Sequence, residues 1–180
     1  MDGGRPIRTR FVALRVRYRP LVSSRRLAIY LNDHLAGSTV GVELARRSLN
    51  ENRGTELGDF LRELLTEIVE DRGTLLQLME RLDVASSRPK TAAAWTAEKL
   101  GRLKLNGQLG GYSPLSRLLE LEGLASGIES KRCLWLALAR IRERDHRLRE
   151  VDLDGFAERA RSQRERLEPH RLAAAADALV

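Results

Sequence analysis

One run of apolar residues decides what this chain can fold into. Leu57, Leu61, Leu64, Ile68, Leu75, Leu78 and Leu82 recur at spacings of mostly three and four, the period of an α-helix with a single buried stripe. The run predicts a helix over about 55–83, opened by Thr55 or Asp59 and ended at Asp83. Such a stripe must be covered by other helices, and the sequence supplies three more. Residues 24–48 place Leu27, Tyr30, Leu31, His34, Val42 and Ala45 on one face behind Ser23 and Ser24 as caps. Ser113-Pro114 is a cap followed by proline at the first helical position, and it opens a third helix running to about Arg144. The fourth, over about 152–179, carries Leu153, Phe156, Ala160, Gln163, Leu167, His170 and Ala174, with Pro169 as an expected kink.

The connections set the topology. Short breaks after the first and third helices make two antiparallel hairpins. The second and third helices are separated by about 29 residues, enough to travel the length of helices that are about 37–46 Å long. Within this stretch the breaker Ser86-Ser87-Arg88-Pro89 precedes a short helix expected over Thr91–Leu103, and Asn106-Gly107 and Gly110-Gly111 are expected turns. The expected fold is all-α: a four-helix bundle over 23–180, with two antiparallel hairpins joined by a long crossover containing a short helix. That is the ferritin-like arrangement.

Charge divides the chain differently. The formal net charge is +7, and residues 1–26 hold all of it, with eight arginines against Asp2; the remaining 24 bases and 24 acids cancel. Residues 1–22 are expected to form a basic, flexible extension, although Leu14, Val16 and Tyr18 alternate with Arg15, Arg17 and Arg19 like a short strand. Nucleic acid or an anionic surface would be engaged through residues 1–26 if at all. No uncharged run approaches the roughly 20 residues of a membrane span. Arg25-Arg26 is not read as an export signal, because Asn32-Asp33-His34 interrupts the apolar stretch after it. The single cysteine, Cys133, excludes an internal disulfide and a Cys-based zinc site, and beside Leu134 and Trp135 it is expected as a small apolar residue. These features together predict a cytoplasmic protein.

Polar residues stand where leucine would be expected. His34 lies on the first stripe with Glu43 at its border, and Asp71 on the second with Glu67 one turn before. Glu122 and Glu129 are read onto the third stripe, and Gln163 and His170 onto the fourth. A buried charge is costly unless it is paired or bound to metal. The strings Tyr30–Gly37, Glu67–Arg72 and Ser113–Glu122 give residues 27–180 a look that resembles an uncharacterised branch of the ferritin-like bacterial proteins. In the di-metal members of that group, two helices each give a Glu and two give Glu-x-x-His. Here Glu67 is followed three residues later by Glu70, and His170 has no Glu three residues before it, so a standard di-iron site is not expected.

The expectation is that the acids pair with Lys131, Arg132, Arg72 or His34 inside the bundle, that no cofactor is required, and that the chain works as a structural or protein-interaction module, as a homodimer or with a protein partner. The alternative is an iron or manganese site built from His34, Glu67, Asp71, Glu122 and Glu129, performing redox or oxygen chemistry. Gly37-x-x-x-Gly41 is expected to admit close approach of another helix. Trp95 with Lys99, Arg102 and Lys104 is expected to pack the crossover helix onto the bundle. No phosphate loop, serine nucleophile elbow or zinc-protease helix is present in the sequence.

Overall fold

The structure, a computed structural model, describes residues 24–87 and 112–180. The basic extension over 1–22, the short helix expected over 91–103 with its Trp95 patch, and the turns at 106–107 and 110–111 lie outside the described residues. Helix α1 spans Ser24–Glu51, α2 Glu56–Arg81, α3 Pro114–Ile141 and α4 Leu153–Leu179. Two short 3-10 turns, Arg142–Arg144 and His146–Leu148, join α3 to α4. No strand occurs among the described residues, and none of their helices is long and apolar enough to cross a membrane.

The helix starts follow from their caps. Thr55 Oγ1 accepts from the Gly58 amide at 3.1 Å, Ser113 Oγ from the Ser116 amide at 3.1 Å, and Asp152 Oδ1 from the Gly155 amide at 3.0 Å. Each satisfies a donor that has no partner within the helix. Gly58 is required by the turn before it, since a Cβ there would lie 2.1 Å from the Asn52 carbonyl oxygen. Pro169 sits inside α4, which continues past it to Leu179.

The apolar core forms two clusters, one at each end of the bundle. In the first, Leu27, Leu31 and Leu35 of α1 meet Leu75, Leu78 and Leu82 around the end of α2, Leu134, Trp135 and Leu138 near the end of α3, and Leu153 and Ala157 at the start of α4. In the second, Val42, Leu44 and Ala45 meet Leu61 and Leu64 of α2, Leu118 and Leu121 of α3, and Leu167 and Ala174 of α4. Helices α1 and α4 therefore run one way, and α2 and α3 the other. Between the clusters every helix interrupts its apolar stripe. α1 does so with Gly37, Ser38 and Gly41, α2 with Asp71, α3 with Lys131, and α4 with Gln163.

Helix α3 buries only part of the face its sequence suggests: Leu118, Leu121, Ala125, Ile128 and Trp135 point inward as expected. Glu122 and Glu129 are not on the buried stripe: their side chains are 47% and 45% exposed, near Arg171 and Arg132. Glu120, Leu124, Leu134 and Leu138 are buried instead, while Leu136 is exposed. Apolar residues occur all round this helix, so periodicity alone does not choose its inner face; packing against α1 and α4 does. Cys133, expected as a small apolar residue, is exposed. Asp145 is buried in the α3–α4 connection. There it takes bonds from Arg147 Nε at 2.9 Å and Nη2 at 2.6 Å, while Arg147 Nη1 reaches the Leu82 carbonyl at 2.8 Å. That arginine closes the end of the bundle over α2.

Candidate functional site

A cavity of about 270 Å³ opens beside the interrupted level, between α1, α2 and α3. Its most unusual residues are four glycines, Gly37 and Gly41 on α1 and Gly123 and Gly127 on α3, each pair one helical turn apart. A Cβ at Gly37, Gly41 or Gly127 would meet nothing within 4 Å. The close helix approach expected at Gly37-x-x-x-Gly41 is therefore absent, and these positions border open space. Only Gly123 is crowded: a methyl group there would stand 2.9 Å from Leu44 Cδ2. Ile68, Leu75, Leu124, Ile128 and Leu134 supply apolar walls. Gly37, Gly123 and Gly127 are themselves exposed, so the cavity is reached from solvent.

One side of the cavity is polar. Asp71 is 6% exposed. Its Oδ2 accepts from Lys131 Nζ and from Gln163 Nε2 at 3.1 Å, and Arg159 Nε lies 3.2 Å from Oδ1. Lys131 Nζ also donates to Gln163 Oε1 at 2.5 Å. Three helices thus meet in one buried network, which explains why Gln163 is tolerated with no exposure at all. Burial lowers the Lys131 pKa, and the Asp71 carboxylate opposes that shift. An ammonium has three N–H groups; two are used here, on Asp71 and Gln163.

Arg72 and His34 also line the cavity. No hydrogen bond or ion pair joins Arg72 to another described residue. His34 makes an edge contact with the Tyr30 ring at 4.6 Å. Burial lowers the His34 pKa, and the nearby Asp33 carboxylate only partly offsets it. The imidazole is thereby favoured as its neutral form.

The five acids and histidines singled out in the sequence divide accordingly. His34 and Asp71 line the same cavity. Glu67 faces α4, where Arg166 Nη2 holds both of its oxygens at 2.6 and 2.7 Å. Glu122 and Glu129 lie outside, and Arg132 grips Glu129 through three hydrogen bonds of 2.8–3.1 Å. Among the described residues no three His, Cys, Asp or Glu side chains group so as to hold a metal ion. Of the expected pairings, Lys131 with Asp71 is internal, whereas Arg132 with Glu129 is on the surface. Glu43 is also exposed, paired with Arg46, and His170 stacks on Phe60 at 4.5 Å.

Sequence reasoning also misses a buried carboxylate on α3. Glu120 has no exposure; Arg47 Nε lies 2.8 Å from its Oε1, and the Tyr112 hydroxyl donates to Oε2 at 3.0 Å. Asn52 Nδ2 in turn donates to the Tyr112 oxygen at 3.1 Å and to the Ser48 carbonyl at 2.7 Å. Burial raises the Glu120 pKa despite Arg47, and burial pushes the Tyr112 hydroxyl up to about 12. This group pins the end of α1 to the start of α3, away from the cavity. The missing signal is its register, two residues before Glu122 on a helix whose apolar pattern is ambiguous.

No protein-family model, curated protein or solved structure matches this chain.

Proposed function

We propose that this chain is a ferritin-like four-helix bundle that holds a small organic ligand in the cavity beside α1 and α3, without a di-metal centre. The carrying observation is that three mid-helix glycine positions open onto about 270 Å³ of space with no atom within 4 Å of where a side chain would begin. Glycine inside a helix costs about 1 kcal/mol relative to alanine, and here no close helix contact offsets that cost. An engineered cavity of roughly 150 Å³ accepts benzene, so this space suits a larger guest.

The helix directions support the bundle topology. Leu82 and Val84 at the end of α2 belong to one cluster and Leu115 and Leu118 of α3 to the other, so α2 and α3 run parallel, which supports a crossover reading of the bundle. The donor set does not suit the di-metal centre of ferritin-like enzymes. Lys131 already neutralises Asp71 from within the network, Arg166 occupies Glu67, and Glu122 and Glu129 face outward.

The test is uptake of decanol and decanoate by the full chain, followed by calorimetry, in wild type and in Gly127→Leu. Gly127 lines the cavity, and a Cβ there meets no neighbour within 4 Å. Wild type should take up at least one of the two at about one per chain, and Gly127→Leu should lose that uptake while remaining folded. No uptake of either, or uptake that Gly127→Leu leaves unchanged, would overturn the reading.

A further inference from the structure

We infer that the ligand is an amphiphilic monocarboxylate, with its alkyl body along the glycine-lined space and its carboxylate at Lys131 and Arg72; this rests on the small-ligand reading above. Shape gives the body. The lining runs from Gly123 to Trp135 on α3 and from Tyr30 to Gly41 on α1, about 18 and 17 Å at the α-helical rise. A long space with apolar walls suits an extended chain better than a compact polycycle.

Hydrogen-bond valence gives the head group. Asp71 uses both oxygens on Lys131, Gln163 and Arg159, so it offers little to a ligand donor. The unused basic groups on this lining are donors, namely the third N–H of Lys131, the guanidinium of Arg72 and one N–H of His34, beside the Tyr30 and Ser130 hydroxyls and the other His34 nitrogen, which can accept. Asp33 is the other acid on the lining, and it is solvent-exposed. A donor-rich patch calls for an acceptor, and the planar guanidinium matches a carboxylate through two parallel bonds. Lys131 is already fixed in place by its two internal bonds, so little ordering remains to be done when the anion arrives.

Calorimetric titration of the full chain with decanoate, decanol and decyltrimethylammonium separates the cases. Decanoate should bind at least about tenfold more tightly than decanol, the scale of one charge-assisted hydrogen bond, and the cation should not bind. Arg72→Gln removes a residue with no partner among the described residues, so folding should be retained. That variant should lose about tenfold in decanoate affinity with decanol unchanged, and Arg72→Lys should recover part of the loss. Equal affinities for decanoate and decanol in wild type, or tighter binding of the cation, would overturn the carboxylate inference while leaving a small-ligand site standing. Failure of all three to bind would overturn both.

Discussion

Lys131 of α3 closes its ammonium on Asp71 of α2 at the level where all four helices interrupt their apolar stripes. Gln163 of α4 bonds to both partners, and Arg159 approaches from the same helix. The pair is 17% and 7% exposed on its two sides, so neither charge is dissolved in water. Breaking such a pair from one side is costly because the survivor stays buried, whereas replacing both partners with apolar groups is much less so.

Lys131→Met should therefore destabilise the protein by about 3 kcal/mol, the lower end of the range for a broken buried pair, because Arg159 and Gln163 remain on Asp71. The double change Lys131→Met with Asp71→Leu should recover most of that loss. Urea unfolding of the three proteins checks both statements. A double variant as unstable as the single would show that the network stabilises the fold on its own account.

Gly37→Ala and Gly127→Ala should each raise stability, by about 0.5–1 kcal/mol from helix propensity and unfolded-state entropy. No neighbour lies within 4 Å of the added methyl at either site. Gly123→Ala should not share the gain, because Leu44 Cδ2 stands 2.9 Å from its Cβ. For a chain of this size the gain is a rise of about 2–4 °C in Tm per kcal/mol. Loss of stability at Gly37 and Gly127 would mean that the space is closed in solution.

The lowered His34 pKa makes stability depend on pH in a defined direction. Burial disfavours the imidazolium in the native state, so the unfolded chain takes up the proton first as pH falls. The contribution of His34 is complete above the ordinary histidine value of about 6.5 and is lost as pH drops through the native value. His34→Gln should flatten this part of the stability profile relative to wild type. Nuclear magnetic resonance titration should place His34 below that ordinary value; a His34 titrating at or above it would contradict the assignment.

Much of the fold is legible in the sequence, and the reason differs from helix to helix. In α2 the leucines recur at helical spacing over the whole segment, so phase and length follow from the pattern, while the choice of Thr55 over Asp59 as cap comes from the structure. Asp71 is visible as an intruder on that stripe, and it lies at the centre of the polar network. In α3 the abundance of leucine and alanine hides the inner face, and the buried carboxylate sits two positions from where periodicity places it. Glu120 is buried and Glu122 is not. The cavity escapes the sequence for another reason. Two glycines a turn apart favour close helix contact or leave a void, and the choice depends on what faces them. Gly123 and Gly127 repeat the spacing on α3, so the space is bordered by four missing side chains, a relation between distant segments that no local pattern contains.

The division of the core has a mechanical consequence. Leucines at the two ends of the bundle belong to separate apolar clusters, with the Asp71 network and an open space between them. A packing defect at one end is transmitted to the other through helix backbones and directional polar bonds, with little continuous side-chain contact across the middle. The two ends of the bundle are thus packed as separate sets of leucines on four unbroken helices, so the loss of one leucine is felt first by its own set.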